Sequence, residues 1–366
     1  MWQEPGFLLF FARGGAADAS GAHISLPMPN LLNAGDVGDV LRKLRAKGVQ
    51  TLAPGVRAKW NRETGGTANA WWAVPAVRRR WNRAISGEDT VSYPTHLGRL
   101  LHERFPGRVW QVLSPGFGSG NTERRLAALP AIASVTGVEL SPQRVAAARR
   151  AATALPPPTQ QKLQFRAGRF DGLAALPPGV NLVHFRQALH HFSAIDQLLA
   201  GLARQLQTSD GLLVLHEYVG PNRLQLPAAR LKEMNRLLQT LPPEFRRRPN
   251  GQLKRRIYVP GRWRMQLVDP TEAPESAHIL PALERYFRPV QQVWLGGDFL
   301  QLLLKDIAHQ FTDEHPEALR LLQRLFRAED DWITQHGRSD FVFGVYQPKE
   351  ATPPGAGGAA LTPPNP

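Results

Sequence analysis

One stretch of the sequence, from Arg108 to Glu139, limits the possible folds more than any other. It reads RVWQVLSPGFGSGNTERRLAALPAIASVTGVE, in which an apolar run (Val109–Leu113), a glycine-rich turn and a helical segment starting near Thr122 precede a second apolar run. Strand, glycine turn, helix and strand in this order form a βαβ unit, and an acid that ends its second strand can accept both hydroxyls of a ribose. The stretch therefore predicts a site for a nucleotide-like ligand at the carboxyl end of a parallel sheet.

The turn of this unit contains Gly116, Gly118 and Gly120, each separated from the next by one residue. The first glycine lets the chain turn sharply off the strand, and the others let backbone N–H groups approach a ligand without an intervening Cβ. The spacing is G-x-G-x-G rather than the G-x-G-x-x-G that is typical of dinucleotide sites. A dinucleotide is therefore not the expected ligand.

The pattern of strand and helix continues beyond Glu139. Ser141 and Pro142 predict a helix start, with serine as N-cap and proline as the first helical residue. Further strands are predicted at Leu163–Ala167, Val180–Phe185 and Leu212–Leu215, and a helix at Leu198–Leu206. The strand at Leu212–Leu215 is almost continuously apolar, as strands buried on both faces are. The predicted fold class is α/β, a Rossmann-like doubly wound sheet, with an N-terminal helical segment and a helical insertion.

After Pro221 the alternation becomes looser. The sequence there predicts helices at Ala228–Leu241, Ser276–Tyr286, Phe299–Phe311 and Pro316–Gln335, and strands at Val290–Leu295 and Asp340–Tyr346. From these patterns we expect four parts: an accessory segment at 1–85, a ligand-binding core at 86–220, an insertion that ends with completion of the sheet at 221–347, and a disordered proline- and glycine-rich tail at 348–366.

The accessory segment carries two local signals. Asp36–Lys47 has helical apolar spacing and is followed by Gly48, which predicts a short helix with a glycine stop. Ala70–Trp81 contains three tryptophans. Their packing as a helical lid on the core is the favoured interpretation, and Trp71 or Trp72 at a substrate entrance is the alternative.

The chain is strongly basic, with 45 Lys and Arg against 30 Asp and Glu, a net charge of +15. This balance favours anionic partners. The local clusters are Arg78–Arg80, Arg246–Arg248 and Lys254–Arg256, and few aromatic residues lie among them to stack on single-stranded bases. Because arginine, alanine, glycine and proline are all abundant, a compositional bias with a solvated basic face explains the charge as well. Nucleic-acid binding is therefore possible but not favoured.

The absence of cysteine excludes disulfides, thiolate chemistry and cysteine-bound metals. No apolar run reaches the roughly 18 residues of a membrane span, so no membrane partner is expected. The apolar segment GFLLFFA follows Glu4 without a preceding positive charge, which argues against a signal peptide. A cytoplasmic location is the resulting expectation, and the sequence makes no prediction of the oligomeric state.

Four segments, VLSPGFGSGNTE, GVELSPQRV, NLVHFRQALHHF and GLLVLHEYVGP, resemble in order and spacing the motifs of class I S-adenosylmethionine-dependent methyltransferases. The resemblance covers roughly Trp81 to Pro221 and, more weakly, the chain to Tyr346. It implies an antiparallel last strand and a substrate-specific insertion after the fifth strand. It also implies that the three glycines wrap the methionine part of S-adenosylmethionine and that Glu139 holds the ribose. The other predicted cofactor contacts are Ser114, Leu140, Asp171 and Gln187.

Three positions depart from the family pattern. Ser114 stands where the family usually has an aspartate, Arg169 stands where an acid often faces the adenine, and Asn181 replaces a common aspartate. Asp171 lies close enough to Arg169 to take over the adenine contact. Serine and asparagine offer hydrogen bonds but no charge, so a sulfonium cofactor gains less attraction. A non-catalytic binding protein on a degenerate methyltransferase fold therefore stays open as an alternative.

The predicted catalytic residues are His190 and His191, which follow the fourth strand, and Glu217, which ends the fifth. A histidine has an unperturbed pKa of roughly 6.5 and suits the removal of a proton from a hydroxyl acceptor. One of two adjacent histidines normally points into the packing. Because adjacent histidines should diverge, and no second cluster with ligand spacing is evident, we expect no metal site.

The predicted substrate contacts are Tyr218, Arg223 and Gln225, in a turn that leaves the fifth strand. Arg223 and Gln225 may equally bridge to the insertion, and both interpretations stay open. The expected activity is S-adenosylmethionine-dependent methyl transfer to a small, possibly anionic or sugar-like acceptor at oxygen. An RNA methyltransferase is a weaker alternative, since RQALHH stands where many nitrogen methyltransferases of nucleic acids have an Asn-Pro-Pro-Tyr tetrad.

Overall fold

A computed structural model describes residues 70–170, 176–259, 261, 262, 265 and 270–350, and the structural statements below refer to these residues. The helix predicted at Asp36–Lys47, the tail beyond residue 350 and the predicted cofactor contact Asp171 lie outside them. Within the described part, no helix is both long enough and apolar enough to cross a membrane.

The described strands form one sheet of seven, in the order β3-β2-β1-β4-β5-β7-β6. They are β1 (Trp110–Pro115), β2 (Ile132–Glu139), β3 (Leu163–Ala167), β4 (Leu182–Arg186), β5 (Leu212–Tyr218), β6 (Phe287–Gly296) and β7 (Phe341–Pro348). Strands β1 to β5 are parallel, and β7 is antiparallel to both β5 and β6. The predicted fold class, including the antiparallel last strand, is confirmed.

Ten helices are described around this sheet. They are α1 (Pro75–Ser86), α2 (Tyr93–Arg104), α3 (Asn121–Ala127), α4 (Pro142–Ala152), α5 (Pro157–Gln161), α6 (Ile195–Thr208), α7 (Ala228–Gln239), α8 (Ile279–Tyr286), α9 (Leu300–Leu303) and α10 (Pro316–His336). The predicted start of α4 is confirmed: Pro142 is its first residue, and the Ser141 hydroxyl accepts a hydrogen bond from the Arg144 N–H at 3.2 Å. The cap satisfies a backbone donor that the first helical turn leaves unpaired.

The sheet is covered on both faces because successive strand residues point in opposite directions. On one face, Leu182 and Val214 pack in a large core with α1, α2 and α7. On the other face, Val183 and Leu213 pack with α6 and α8. A small third cluster lies between α4 and the strands β2 and β3. The loops that follow the parallel strands lie together at the carboxyl edge of the sheet.

The described end of the N-terminal segment is part of the first of these cores. Trp71 and Trp81 are both buried and pack edge to face, with ring centroids 5.1 Å apart. The Trp81 indole N–H donates to the Leu295 carbonyl of β6 at 2.8 Å, and Trp72 is exposed. The favoured interpretation of these tryptophans as packing residues fits Trp71 and Trp81. The four sequence-based domain boundaries stay predictions.

One predicted helix is wrong. The segment Phe299–Phe311 forms the short helix α9 and a separate 3₁₀ turn (Ala308–Phe311), with Asp306 between them at a φ of 66°. The buried Lys254 ammonium donates to the carbonyl oxygens of Leu302, Leu303 and Lys305, at 2.7, 2.9 and 2.6 Å. Because these carbonyls are taken by a side chain distant in sequence, the helix ends after one turn.

Candidate active site

The glycine turn between β1 and α3 has the backbone that its sequence predicts. Gly116, Gly118 and Gly120 have φ values of 67°, 62° and 69°, in the left-handed region that favours glycine. A Cβ on Gly116 would lie 2.8 Å from the Cβ of Ala188, in the loop that follows β4. The turn is therefore pressed against a second loop at the carboxyl edge of the sheet, and the two loops position each other.

Glu139 lies where the cofactor's ribose is expected. Its carboxylate accepts hydrogen bonds from the Gly118 N–H at 3.0 Å and from the Ser141 N–H at 3.1 Å. A carboxylate has about four acceptor positions, so these two bonds leave capacity for the hydroxyls of a ligand. Leu140, the next residue, is 43% exposed, an unusual position for a large apolar side chain and one that suits the face of a base. The glycine turn, Glu139 and Leu140 together fit an adenosine-containing cofactor.

Ser114 is almost fully buried, and its hydroxyl donates to the carboxyl group of Glu123 in α3 at 2.6 Å. Its Oγ also lies 3.2 Å from Nδ1 of His184, whose Nε2 lies 3.4 Å from the Tyr93 hydroxyl. Burial is the main cause that raises the pKa of Glu123. A carboxyl group is thus present beside the glycine turn, supplied by α3 rather than by the strand.

Two other histidines lie inside the core rather than in a cleft. Burial, followed by the nearby Arg186 charge, lowers the pKa of both His184 and His216 to about 3. Tyr93 packs on both rings, and Trp81 contacts His216 with ring centroids 5.0 Å apart. Both histidines are therefore neutral at physiological pH and belong to the packing.

Glu217 is fully buried at the end of β5 and organises the loop after β4. Its Oε2 accepts the N–H groups of Ala188 and Leu189 at 2.8 and 2.7 Å. Its Oε1 accepts the Tyr218 N–H at 2.8 Å and is also hydrogen-bonded to Nδ1 of His190. One carboxylate therefore fixes the loop and the orientation of the first candidate base. The Glu217 side chain has no exposed surface, and its predicted catalytic role stays a prediction.

His190 and His191 lie side by side, with ring centroids 4.1 Å apart. Nδ1 of His191 lies 3.0 Å from the Thr271 carbonyl oxygen, and Nε2 of His190 lies 4.0 Å from a carboxylate oxygen of Glu272. One ligand atom from each of His190, His191 and Glu272 can be chosen so that all three lie within 4.8 Å of one another. The expectation that adjacent histidines diverge is wrong here, because both occupy one 3₁₀ turn (Leu189–His191) that an element distant in sequence covers.

Comparison with known proteins identifies the central part of the chain. Residues 112–209 match the family described as a methyltransferase domain. The match supports the resemblance of this segment to methyltransferases that the sequence motifs imply. The match covers less than half of the chain, and no curated protein matches the sequence.

Solved structures of low sequence identity are similar to the chain. The YcgJ protein from Bacillus subtilis is 16% identical, with 70% of this chain and 99% of that chain covered and a TM-score of 0.39. A methyltransferase from Mesorhizobium loti is 16% identical, with 68% and 96% covered and a TM-score of 0.39. Phosphoethanolamine N-methyltransferase 2 from Haemonchus contortus, solved with S-adenosyl-L-methionine, is 14% identical, with 84% and 61% covered and a TM-score of 0.44.

Asn181, one departure from the family pattern, lies at the amino end of β4. Its amide oxygen accepts the Gln111 N–H at 2.8 Å, and its amide nitrogen donates to the Val109 carbonyl at 3.0 Å. A carboxylate cannot make both bonds, because it has no donor. Because open α/β sheets bind ligands at the opposite, carboxyl edge, the position of Asn181 does not support the inference that it weakens attraction for a sulfonium.

The remaining predicted cofactor contacts differ in their placement. Gln187 is half-buried with a φ of 51°, and both its backbone N–H and its side-chain amide donate to the His216 carbonyl, at 2.9 and 3.1 Å. This non-glycine residue in the left-handed region marks the loop after β4 as strained, a feature common at ligand sites. Arg169 is exposed. The cofactor roles of Gln187 and Asp171 stay predictions.

The predicted substrate contacts lie in the turn after β5. Tyr218 is buried, and its hydroxyl donates to the Pro221 carbonyl at 3.0 Å, which gives it a structural role in the turn. The Arg223 backbone N–H donates to the Ala273 carbonyl at 2.6 Å, and the Gln225 amide donates to the Arg223 carbonyl at 2.9 Å. The bridging interpretation of Arg223 thus fits its backbone contact with the insertion. Substrate contact by these residues stays a prediction.

Sequence reasoning missed Glu123 and Glu272 as members of the site. Glu123 is the third residue of α3, where an acid normally stabilises the exposed first turn of a helix. Glu272 precedes the predicted helix at Ser276 and is distant in sequence from the histidines that it approaches. The available signal for Glu123 was the loss of the strand acid at Ser114. No signal in the sequence marked Glu272.

Proposed function

We propose that this chain transfers the methyl group of S-adenosylmethionine to an oxygen atom of a small acceptor molecule. The observation that supports this proposal most is the placement of His190. Glu217 orients its ring and at the same time fixes the loop that packs on the glycine turn. A proton acceptor is thus held rigidly beside the expected cofactor, as methyl transfer to a hydroxyl requires.

The cofactor side of the site is formed by the glycine turn, Glu139 and Leu140. The glycine turn leaves room for the methionine part because it carries no Cβ at three positions, the Glu139 carboxylate accepts ribose hydroxyls, and Leu140 offers an apolar surface to the adenine. When bound, S-adenosylmethionine supplies an electrophilic methyl group on a sulfonium, and the electron pair of the broken carbon–sulfur bond stays on sulfur. The carboxyl group of Glu123 supports the turn through Ser114.

The acceptor side is formed by the cluster of His190, His191 and Glu272. The acceptor hydroxyl gives up its proton at this cluster, and its oxygen lone pair forms the new bond to carbon. The loop around Glu272 belongs to the insertion after β5, so the same insertion that closes the site also selects the acceptor. A nitrogen acceptor needs less help of this kind, because an amine that is neutral already offers its lone pair.

Glu139→Ala tests the cofactor assignment. The variant leaves the ribose hydroxyls without a charged acceptor, and we expect S-adenosylhomocysteine to bind about 1.5 to 3 kcal/mol more weakly, roughly 10- to 100-fold. Isothermal titration calorimetry measures the change. The matched control is Glu103→Ala, which removes an exposed acid near the end of α2, at the opposite edge of the sheet.

The same calorimetry also tests the alternative of a non-catalytic binding protein. No heat from the unaltered chain at near-millimolar S-adenosylhomocysteine would contradict the enzyme proposal. Equal affinity of Glu139→Ala and the unaltered chain would show that the βαβ unit holds a different ligand. Because Glu139 also accepts two backbone N–H groups, the variant should lose about 1 to 2 kcal/mol of unfolding free energy, and urea unfolding shows whether it stays folded.

A further inference from the structure

We propose that His190, His191 and Glu272 form a binding site for one divalent transition-metal ion. Their ligand atoms lie within 4.8 Å of one another, and two loops distant in sequence bring them together. The proposal goes beyond the methyltransferase activity, and only the role of the ion in the reaction rests on the proposed function.

The hydrogen bonds behind the two rings fix which nitrogen faces the cluster. Nδ1 of His190 is hydrogen-bonded to the Glu217 carboxylate, and a carboxylate oxygen accepts, so the imidazole N–H is the donor. Nδ1 of His191 lies 3.0 Å from the Thr271 carbonyl oxygen, which is an acceptor only, so this ring donates as well. In the neutral rings, Nε2 then carries the lone pair. Metal-binding histidines are held in this way, with the other ring nitrogen donating to a carboxylate or a backbone carbonyl.

The charges around His190 favour a cation at the cluster. Its ring lies between two carboxylates, with Glu217 on Nδ1 and Glu272 4.0 Å from Nε2. A neutral ring would present its Nε2 lone pair to the negative charge of Glu272, which is unfavourable. A cation placed between the two groups is attracted by both carboxylates. The ring of His191 adds a second nitrogen donor at the same place, which a metal ion can use and a single proton cannot.

The donor set indicates which ions fit. Two imidazole nitrogens and one carboxylate oxygen suit Zn²⁺, Fe²⁺, Mn²⁺ or Co²⁺ better than Mg²⁺ or Ca²⁺, which prefer oxygen ligands alone. Metal–ligand bonds of about 2.0 to 2.2 Å place neighbouring ligand atoms roughly 3 to 3.5 Å apart, so the widest separation in the cluster must shorten by up to about 1.3 to 1.8 Å. The Glu272 side chain is 25% exposed and can make this movement.

Three protein ligands leave coordination positions open for the acceptor. A bound ion would lower the pKa of an acceptor hydroxyl and so favour the loss of its proton to water. His190 and His191 would then serve as ligands and no longer as the proton acceptor of the metal-free site, and acceptors with a hydroxyl and a second chelating oxygen would be preferred. No electron transfer is involved, since the ion keeps its charge throughout.

A Co²⁺ titration tests the site directly. The full untagged chain, treated with a chelator and then dialysed, is titrated with Co²⁺ while its visible absorption is recorded, and Zn²⁺ is added as competitor. We expect one Co²⁺ per chain, displaced by Zn²⁺. His191→Ala and Glu272→Gln should each weaken binding roughly 100-fold or more. Both variants change partly exposed side chains, so we expect the fold to stay intact. Circular dichroism is the check on this expectation.

The matched control is His102→Ala, which removes an exposed histidine at the end of α2 and should leave Co²⁺ binding unchanged. Weak Co²⁺ binding, or binding that His191→Ala and Glu272→Gln do not reduce, would overturn the proposal. Calorimetry with S-adenosylhomocysteine on the same samples separates the two hypotheses. If the chain binds S-adenosylhomocysteine but does not bind Co²⁺, only the metal site is contradicted. If it binds Co²⁺ but does not bind S-adenosylhomocysteine, only the proposed function is contradicted.

Discussion

Ser114 and Glu123 together replace a feature that methyltransferases of this class usually place in one residue. The strand position carries a hydroxyl, and the carboxyl group comes from the first turn of α3, in contact with that hydroxyl. Because Glu123 is buried, a second carboxyl group beside it would add another charge that water does not solvate. We propose that the neutral serine is a matched partner of Glu123 rather than a sign of a decayed site.

Ser114→Asp should destabilise the protein strongly. The new carboxylate would face the Glu123 carboxyl group inside the core, and an uncompensated buried charge costs about 3 to 5 kcal/mol. Ser114→Ala serves as control and should cost only about 1 kcal/mol, the value of a lost hydrogen bond. Urea unfolding measures both free energies.

The exchange variant Ser114→Asp with Glu123→Ser decides between the two explanations. It moves the single carboxyl group back to the strand, and we expect it to recover most of the lost stability. If Ser114→Asp alone is as stable as the unaltered protein, Glu123 does not fill the role of the missing aspartate.

At this scale the sequence predicts well where a residue's position follows from its neighbours in the chain. Glu139 is an example, because strand, turn and helix around it fix its place, and its contact with a ribose stays a prediction. The pairing of His190 and His191 could not be predicted in this way. Their relative direction depends on a 3₁₀ turn, and their third partner, Glu272, is brought in by a fold-level contact.

Among the elements, the contact between the glycine turn and the loop after β4 connects the two sides of the site. Gly116 packs against Ala188 at this contact, and the Glu217 carboxylate holds the second loop by accepting two of its backbone N–H groups. The cofactor side and the acceptor side therefore share one rigid junction. A change in the backbone conformation at Gly116 should therefore disturb both the cofactor side and the acceptor side of the site.

Gly116→Ala should cost more than its backbone strain alone. A non-glycine residue at φ 67° costs about 1 to 2 kcal/mol, and its Cβ would lie 2.8 Å from that of Ala188. Gly107→Ala is the matched control, since Gly107 has a φ of 74° and nothing within 4 Å of the position of its Cβ. We expect Gly116→Ala to lose at least about 1 kcal/mol more unfolding free energy than Gly107→Ala, and to bind S-adenosylhomocysteine more weakly. Equal losses of stability and unchanged affinity would mean that the two loops move independently.

The elements that the sequence predicts correctly are those whose limits are set locally. Strand β3 has the predicted bounds, and α4 starts at the predicted proline. The single helix predicted at Phe299–Phe311 fails for a different reason. Lys254 ends it through three carbonyl groups, and no pattern inside the segment reports this contact.

On the scale of the whole molecule, the buried histidines make stability depend on pH. The folded-state pKa of His184 and of His216 is lowered to about 3, from an unfolded value of roughly 6.5. Their contribution to stability is therefore complete above pH 6.5 and is lost progressively as the pH falls towards 3. Buried carboxyl groups act in the opposite sense, since burial raises the pKa of Asp298 to about 7. The pH dependence of the unfolding free energy is the sum of both contributions. The informative measurement is therefore the difference in unfolding free energy between a variant and the unaltered protein.

His216→Phe should make the protein less sensitive to acid. Nδ1 of His216 has no hydrogen-bond partner among the residues that the structure describes, and aromatic rings surround the side chain. A lowered pKa is worth about 1.4 kcal/mol per pH unit, so relative to pH 7.5 the variant should gain about 2 kcal/mol over the unaltered protein at pH 5. Urea unfolding at several pH values measures this difference, and parallel stability curves for the two proteins would contradict the assignment.

The contacts of α1 have a consequence for synthesis on the ribosome. Trp81 donates to a carbonyl 214 residues further along the chain, and Arg80 pairs with Glu329, 249 residues further along. At a synthesis rate of roughly 5 to 20 residues per second, the partners of α1 are made on the order of 10 to 40 s after the helix itself. During that interval the nascent chain displays Trp71 and Trp81 to other proteins. Chaperones that hold exposed aromatic segments should therefore raise the yield of folded protein.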